Sequence, residues 1–108
     1  GFTWSLITTN ITAAVNNGYI CSGGTDLTIA LPATSAVGDA IVVVLDGSTS
    51  FQITQATGQR IRVGNITTSL GAGGTVTSNA QGDYIGIVCK VANTLWTTVN
   101  SCGNLTVV

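Results

Sequence analysis

Histidine, glutamate and methionine are absent from the 108 residues, and proline occurs only once. Without histidine, a Ser or Cys nucleophile would lack the base that most often activates it. The only acidic side chains belong to four aspartates, and an ordinary carboxyl group is a poor proton donor near neutral pH. The composition therefore predicts a protein that is not an enzyme and that uses no cofactor.

Charge of either sign is scarce, because only 6% of the residues are charged against roughly a quarter in typical soluble domains. Three cations cannot neutralise the roughly six to ten phosphates that give useful affinity for nucleic acid, so nucleic-acid binding is excluded as a main function. A monomer with net charge −1 is poorly protected against association. We therefore expect part of the surface to be buried in an oligomer, a fibre or a larger particle.

Long hydrophobic runs are also missing. The longest, "AIVVVL" at 40–45, has the length of one buried strand and falls far short of the ~20 residues that cross a bilayer. The sequence therefore predicts no membrane insertion. The length of the sequence is that of one domain, so we interpret residues 1–108 as a single domain, and we expect it to be part of a longer chain.

Three cysteines leave three alternatives open. The residue spacing contains no CxxC motif, and a zinc site would need all three thiolates from distant positions. One disulfide, Cys21–Cys102, is the second alternative. The composition favours the third, in which Cys21, Cys89 and Cys102 stay free and act as small hydrophobic residues.

What the chain does contain is β-structure. Its 14 glycines, 18 threonines and many Val and Ile residues occur in short stretches that alternate apolar and polar positions, separated by turn residues about ten apart. The pattern predicts an all-β domain of eight to ten short strands, as an antiparallel sandwich, a small barrel or a prism. "AIVVVL" is apolar on both faces, which is typical of a central strand buried on both sides.

The stretch "IGIVCKVANTLWTTV" (85–99) predicts a hairpin with a two-residue turn at 93–94. Neighbouring residues on a strand point to opposite faces, so Lys90 cannot lie over the Cys89 sulfur and activate it. Cys89 shares its face with Ile85, Ile87 and Val91, which predicts a structural, unreactive thiol in the core.

Four residues are the candidate ligand-binding set: Tyr84, Arg60, Arg62 and Asp46. Arg60 and Arg62 lie two apart on one strand face, where they would grip an acidic sugar or a row of carboxylates. Alternatively they are solvated or pair with Asp46 or Asp83. The aspartates lie beside Gly or Thr at strand ends, where Asp usually caps a turn; a glycosidase pair is the less favoured interpretation.

Aromatic rings could stack on sugars, and Tyr19 and Tyr84, each close to a Gly and each with a polar tip, are the better candidates for exposure. Trp4 and Trp96 lie among aliphatic residues in strand patterns. We therefore assign them a structural role, in the core or at a subunit interface.

Several segments together resemble a known class of module. They are LP followed by GD (31–39), Q-x-I-x-x-G (59–64) and C-x-x-x-N-x-x-W before GN (89–104). In this order they resemble β-rich modules of bacteriophage tail-fibre and receptor-binding proteins and of bacterial surface proteins. The motifs consist of turn and core residues and transfer no catalytic residue. The resemblance implies a homotrimer at the end of a fibre or stalk.

Together these observations predict a non-enzymatic structural and attachment module, located outside the cell or on a virion surface, that presents loops to a glycan or protein receptor. The alternative is a purely structural trimerisation, spacer or virion assembly domain with no ligand.

Overall fold

The structure is a computed structural model that describes residues 2–108. Within that range the chain forms twelve strands and no helix. In chain order they are β1 (Thr3–Ile7), β2 (Ile11–Thr12), β3 (Asn17–Cys21), β4 (Asp26–Ala30), β5 (Ala40–Leu45), β6 (Ser50–Thr54), β7 (Arg60–Val63), β8 (Ile66–Thr67), β9 (Thr75–Thr77), β10 (Tyr84–Val91), β11 (Leu95–Cys102) and β12 (Thr106–Val107). The all-β prediction is confirmed, with more strands than expected because several have only two or three residues.

The strands form two sheets. A seven-stranded sheet has the order β1-β3-β5-β10-β11-β7-β8, and a five-stranded sheet has the order β12-β9-β6-β4-β2. Strands β1 to β6 alternate between the two sheets, and β3, β4, β5 and β6 each pair in parallel with the strand two places earlier. The later strands β9, β10 and β12 pair antiparallel.

The prediction of an antiparallel architecture is therefore wrong, because both sheets are mixed. Alternation of apolar and polar residues shows which face of a strand is buried, but it does not show which strand pairs with which. Here the chain crosses to the other sheet after β1 and β3 before it returns, so successive strands of one sheet run in the same direction.

One hydrophobic core lies between the sheets. It receives alternate side chains from both of them, such as Val43 and Ile85 from the larger sheet and Ile29 and Phe51 from the smaller one, each essentially inaccessible to solvent. Full burial of such a side chain stabilises the fold by roughly 1.5–3 kcal/mol. Trp96 is the largest buried side chain, which confirms its assignment to the core.

A buried glutamine holds the glycine-rich loop after β8. The Gln55 amide nitrogen lies 2.8–2.9 Å from the carbonyl oxygens of Gln59, Ser69 and Gly71, and its oxygen accepts a hydrogen bond from the Thr68 hydroxyl. At Gly74 an added Cβ would lie 2.3 Å from that amide nitrogen. The start of the glycine-rich segment 68–78 is thus hydrogen-bonded to a core side chain.

Two local predictions need correction. The β10–β11 hairpin turns over three residues, 92–94, and β10 carries a bulge between Cys89 and Val91, so Val91 is exposed and does not share the core with Cys89. Strand β5 lies inside the sheet as predicted, but it is not buried on both sides. Its outward residues Val42 and Val44 are only partly buried.

Candidate functional site

Cys89 and Lys90 lie on opposite sides of β10, as predicted. The Cys89 side chain is 1% exposed, with its Sγ 3.3 Å from the Ser35 hydroxyl and 3.3 Å from the Val91 carbonyl oxygen. Lys90 is exposed. The thiol therefore fills the core and has no cation beside it, so this pair is not a reactive site.

The other two thiols differ from each other. Cys21 faces the core and is fully buried, and burial raises its pKa to about 11. Cys102 is exposed, so it does not act as a buried hydrophobic residue as predicted. All three cysteines are free. Cys21 and Cys102 lie on strands separated by β5 and β10, too far apart for the alternative disulfide.

Two aspartates cap turns, as expected. The Asp83 carboxylate accepts hydrogen bonds from the backbone N–H groups of Asn79 and Ala80 at 2.8 and 3.0 Å. The Asp39 carboxylate accepts one from the Ala36 N–H at 2.8 Å. Asp26 accepts instead from the Ser50 hydroxyl. Asp46 follows β5 and is exposed.

The four candidate ligand-binding residues form two separate pairs: Tyr84 with Asp46, which directly follows β5, and Arg60 with Arg62. Asp46 lies two residues beyond Val44, the partner of Tyr84, which places it on a diagonal roughly 7–8 Å from Tyr84. Arg60 and Arg62 lie on the outward side of β7, two strands from β10. Arg62 is level with Thr97 and therefore with Val88, about 13 Å along the strands from Tyr84. The two pairs are therefore too far apart for one small ligand to contact all four residues.

The most distinctive surface is the outward side of the seven-stranded sheet. From the edge strand β1 to β10, this side presents a set of apolar side chains, which we call the outer apolar face: Phe2, Trp4, Leu6, Ile20, Val42, Val44, Tyr84 and Val88. The register places Leu6, Ile20, Val44 and Tyr84 side by side across four strands. Leu6 is 70% exposed and Trp4 is 53% exposed.

Tyr19, predicted to be exposed, is buried in the core, where its hydroxyl oxygen accepts a hydrogen bond from the Ala14 N–H. Trp4 lies on the outer apolar face and not in the core, so that alternative for Trp4 is wrong. Its indole ring covers Gly18, its partner on β3, where an added Cβ would lie 2.4 Å from the ring. Phe2 packs edge-on against it, with ring centroids 5.7 Å apart. Glycine at position 18 therefore lets the indole ring lie flat on the sheet.

The outward side of the five-stranded sheet is different. Its central positions are Thr28, Gln52, Thr54, Thr75 and Thr77, all partly exposed, with small polar side chains that water solvates well. The same fold thus carries one polar and one apolar outer surface. Sequence reasoning missed this contrast, although the doubly apolar "AIVVVL" run was a signal for it.

The charges on the larger sheet lie at its two ends. All three cations of the chain, Arg60, Arg62 and Lys90, are exposed near the end where β10 finishes. Asp39 lies at this same end, just before β5, and its carboxylate accepts hydrogen bonds from the Ala36 N–H and the Asn16 side-chain amide. Asp46, beyond Val44, and the buried Asp83 lie at the opposite end. The middle of the face is uncharged.

No protein-family model matches this chain, and no curated protein is similar to it. The resemblance to tail-fibre and surface-protein modules therefore stays a prediction. Among residues 2–108 no set of three or more His, Cys, Asp or Glu side chains is arranged to hold a metal ion. The same range contains no helix long and apolar enough to cross a membrane.

Proposed function

We propose that this chain is a non-enzymatic structural module of a fibre or surface protein, which assembles with copies of itself through the outer apolar face. The observation that carries the proposal is the contrast between the two sheets. Both have an outward side, yet only the seven-stranded sheet places Trp, Leu, Ile and Val side chains there.

Large exposed apolar patches are uncommon on soluble monomers and usually mark surfaces that bind a partner. The apolar side chains of this face come from four adjacent strands, β1, β3, β5 and β10. The resemblance to fibre modules implies three copies and a location outside the cell or on a virion.

The test is the molar mass in solution, measured by light scattering across a range of concentrations. We expect a multiple of the 10.9 kDa chain for the wild type and a monomer for Val44→Asp, which places a charge in the middle of the face. Thr54→Asp is the matched control, because Thr54 is an outward residue on the central strand of the polar sheet. A wild-type protein that stays monomeric would refute the proposal.

Attachment to a receptor is the second candidate function, and the gathered cations support it. Arg60 and Arg62 lie at the rim of the face, where they would stay accessible to an acidic glycan in the assembled protein. Such contacts are weak one by one and gain strength from several copies.

A glycan array probed with the assembled protein distinguishes the two candidates. Attachment predicts binding to acidic glycans that is lost in Arg60→Ala/Arg62→Ala and retained when the thiol Cys102 is changed to Ser. A clean negative at high valency would favour the purely structural alternative.

A further inference from the structure

We propose that two copies of the chain pack outer apolar face to outer apolar face with their strands running in opposite directions, so that Asp46 of each copy lies over Lys90 of the other. This inference rests on the proposed assembly through the same face and adds its orientation and the polar contacts that set it.

The register of the central strands carries the argument. Val42 of β5 is paired with Gly86 of β10, and their row continues through Gly18 to Trp4. We call Trp4, Gly18, Val42 and Gly86 the middle row. It crosses the apolar face halfway between its two ends.

Asp46 and Lys90 lie at equal distances from the middle row, on opposite sides of it. Asp46 is four residues beyond Val42, and Lys90 is four residues beyond Gly86, which is about 13 Å along the strands in each case. Since β5 and β10 are neighbours, the backbone positions of the two residues are offset sideways by only about 5 Å.

A two-fold axis along the middle row exchanges the two ends of the sheet. It therefore places the carboxylate of one copy beside the ammonium group of the other, and it does so twice, because the contact is repeated by symmetry. The apolar side chains meet in the centre, and the ion pairs lie at the rim, which is the usual arrangement of an interface.

Arrangements in which all strands run the same way have the opposite effect. A two-fold or three-fold axis parallel to the strands would place the cationic end of every copy at the same level. Lys90, Arg60 and Arg62 of one copy would then lie level with the same three cations of its neighbours. Like charges brought together across an interface disfavour that arrangement. The charge layout thus favours an antiparallel pair over the trimer that the resemblance implies.

The test is a set of charge reversals in the full chain, with the dissociation constant measured by sedimentation equilibrium in 50 mM salt. Asp46→Lys and Lys90→Asp should each weaken association by about tenfold, because each replaces two attractive contacts with two repulsive ones. The double variant should return to within about twofold of the wild type. Asp26→Lys, at the start of β4 in the other sheet, makes the same charge change away from the face and should have no effect.

Salt gives a second measurement, because these contacts lie at the solvent-exposed rim. In 500 mM salt the single variants should approach the wild-type constant. Both changed residues are exposed, and circular dichroism verifies that each variant folds.

The outcomes separate this inference from the proposed function. If Val44→Asp abolishes association but the double variant is no tighter than the single ones, or if the mass is that of three copies, the antiparallel pair is wrong and the apolar face still stands as the interface. A wild type that never associates refutes both.

Discussion

The three cysteine side chains of this protein differ in how far water reaches them. Strand parity alone accounts for the inward Cys21 and Cys89, whereas Cys102 pairs with the outward Tyr84 because the register of β11 shifts between Thr98 and Asn100. Cys21 and Cys89 point inward from β3 and β10, and Cys102 points outward near the end of β11. A thiol must be exposed and deprotonated to react quickly.

We therefore expect one thiol per chain to react with an aromatic disulfide reagent in the Val44→Asp subunit, and all three in urea. Cys102→Ser should remove the rapid reaction. Rapid labelling of a second thiol in the folded protein would contradict the core placement of Cys89. Cys89→Ser should reduce stability, since a smaller and more polar group replaces a thiol that fills the core, and the hydrogen-bond partners at Ser35 and Val91 offset only part of this loss.

The raised pKa of Cys21 predicts a pH dependence of stability. In the unfolded chain this thiol loses its proton near pH 9, but burial raises its pKa in the folded state to about 11. Between these values the unfolded chain binds fewer protons, so the free energy of unfolding falls as pH rises through this window. Below pH 9 the thiol is neutral in both states and makes no contribution to the slope. The urea midpoint should fall less between pH 8.5 and 10.5 in Cys21→Ala than in the wild type, and an equal fall would contradict this.

Gln55 stabilises the fold by satisfying backbone groups that water does not reach. Gln55→Ala removes the donor shared by three carbonyl groups and should lower the free energy of unfolding by about 3 kcal/mol. Gln52→Ala on the same strand loses one hydrogen bond to Thr77 at a partly exposed site, so it should cost less than about 1 kcal/mol. Urea denaturation compares the two, and equal losses would argue against the loop-bracing role.

At the scale of elements, the first strand depends on its neighbour. β1 is an edge strand that pairs only with β3, and the Trp4 indole covers the glycine of that strand. The position of the Trp4 ring on the outer apolar face therefore depends on β3 as well as on β1, because Gly18 of β3 has no side chain.

Gly18→Ala should lift the indole ring away from the sheet. The expected result is stronger quenching of tryptophan fluorescence by acrylamide, and the change reports Trp4 because Trp96 is fully buried. Gly24→Ala is the control, since an added Cβ at that position meets nothing within 4 Å. Unchanged quenching in Gly18→Ala would mean that the ring does not depend on the glycine.

At the scale of the whole molecule, stability and assembly should be linked. Burial of the outer apolar face occurs only in the folded state, so association stabilises the native chain by mass action. The melting temperature should therefore rise with protein concentration in the wild type and stay constant in Val44→Asp. A constant melting temperature in both would mean that the face is not covered by another copy.

Which side chains point inward could be predicted from the sequence alone. Alternation placed Ile85, Ile87 and Cys89 on one face and separated Cys89 from Lys90, and the structure agrees. The turn-capping role of Asp39 and Asp83 also follows from local chemistry, because a short carboxylate bonds backbone amides a few residues away.

Only the tertiary structure shows which strands pair with each other and which apolar sheet face has no second sheet packed against it. A strand's own sequence does not say whether its neighbour is the next strand or one that returns from the other sheet, so the parallel pairs of β1 to β6 were not predicted. For the same reason the apolar run 40–45 predicted burial of both faces of β5, including Val42 and Val44. Ile41, Val43 and Leu45, which point inward from the same strand, pack against the second sheet. Val42 and Val44 point to the outer surface, which no second sheet covers. Alternation along one strand does not encode which face of the strand another sheet covers.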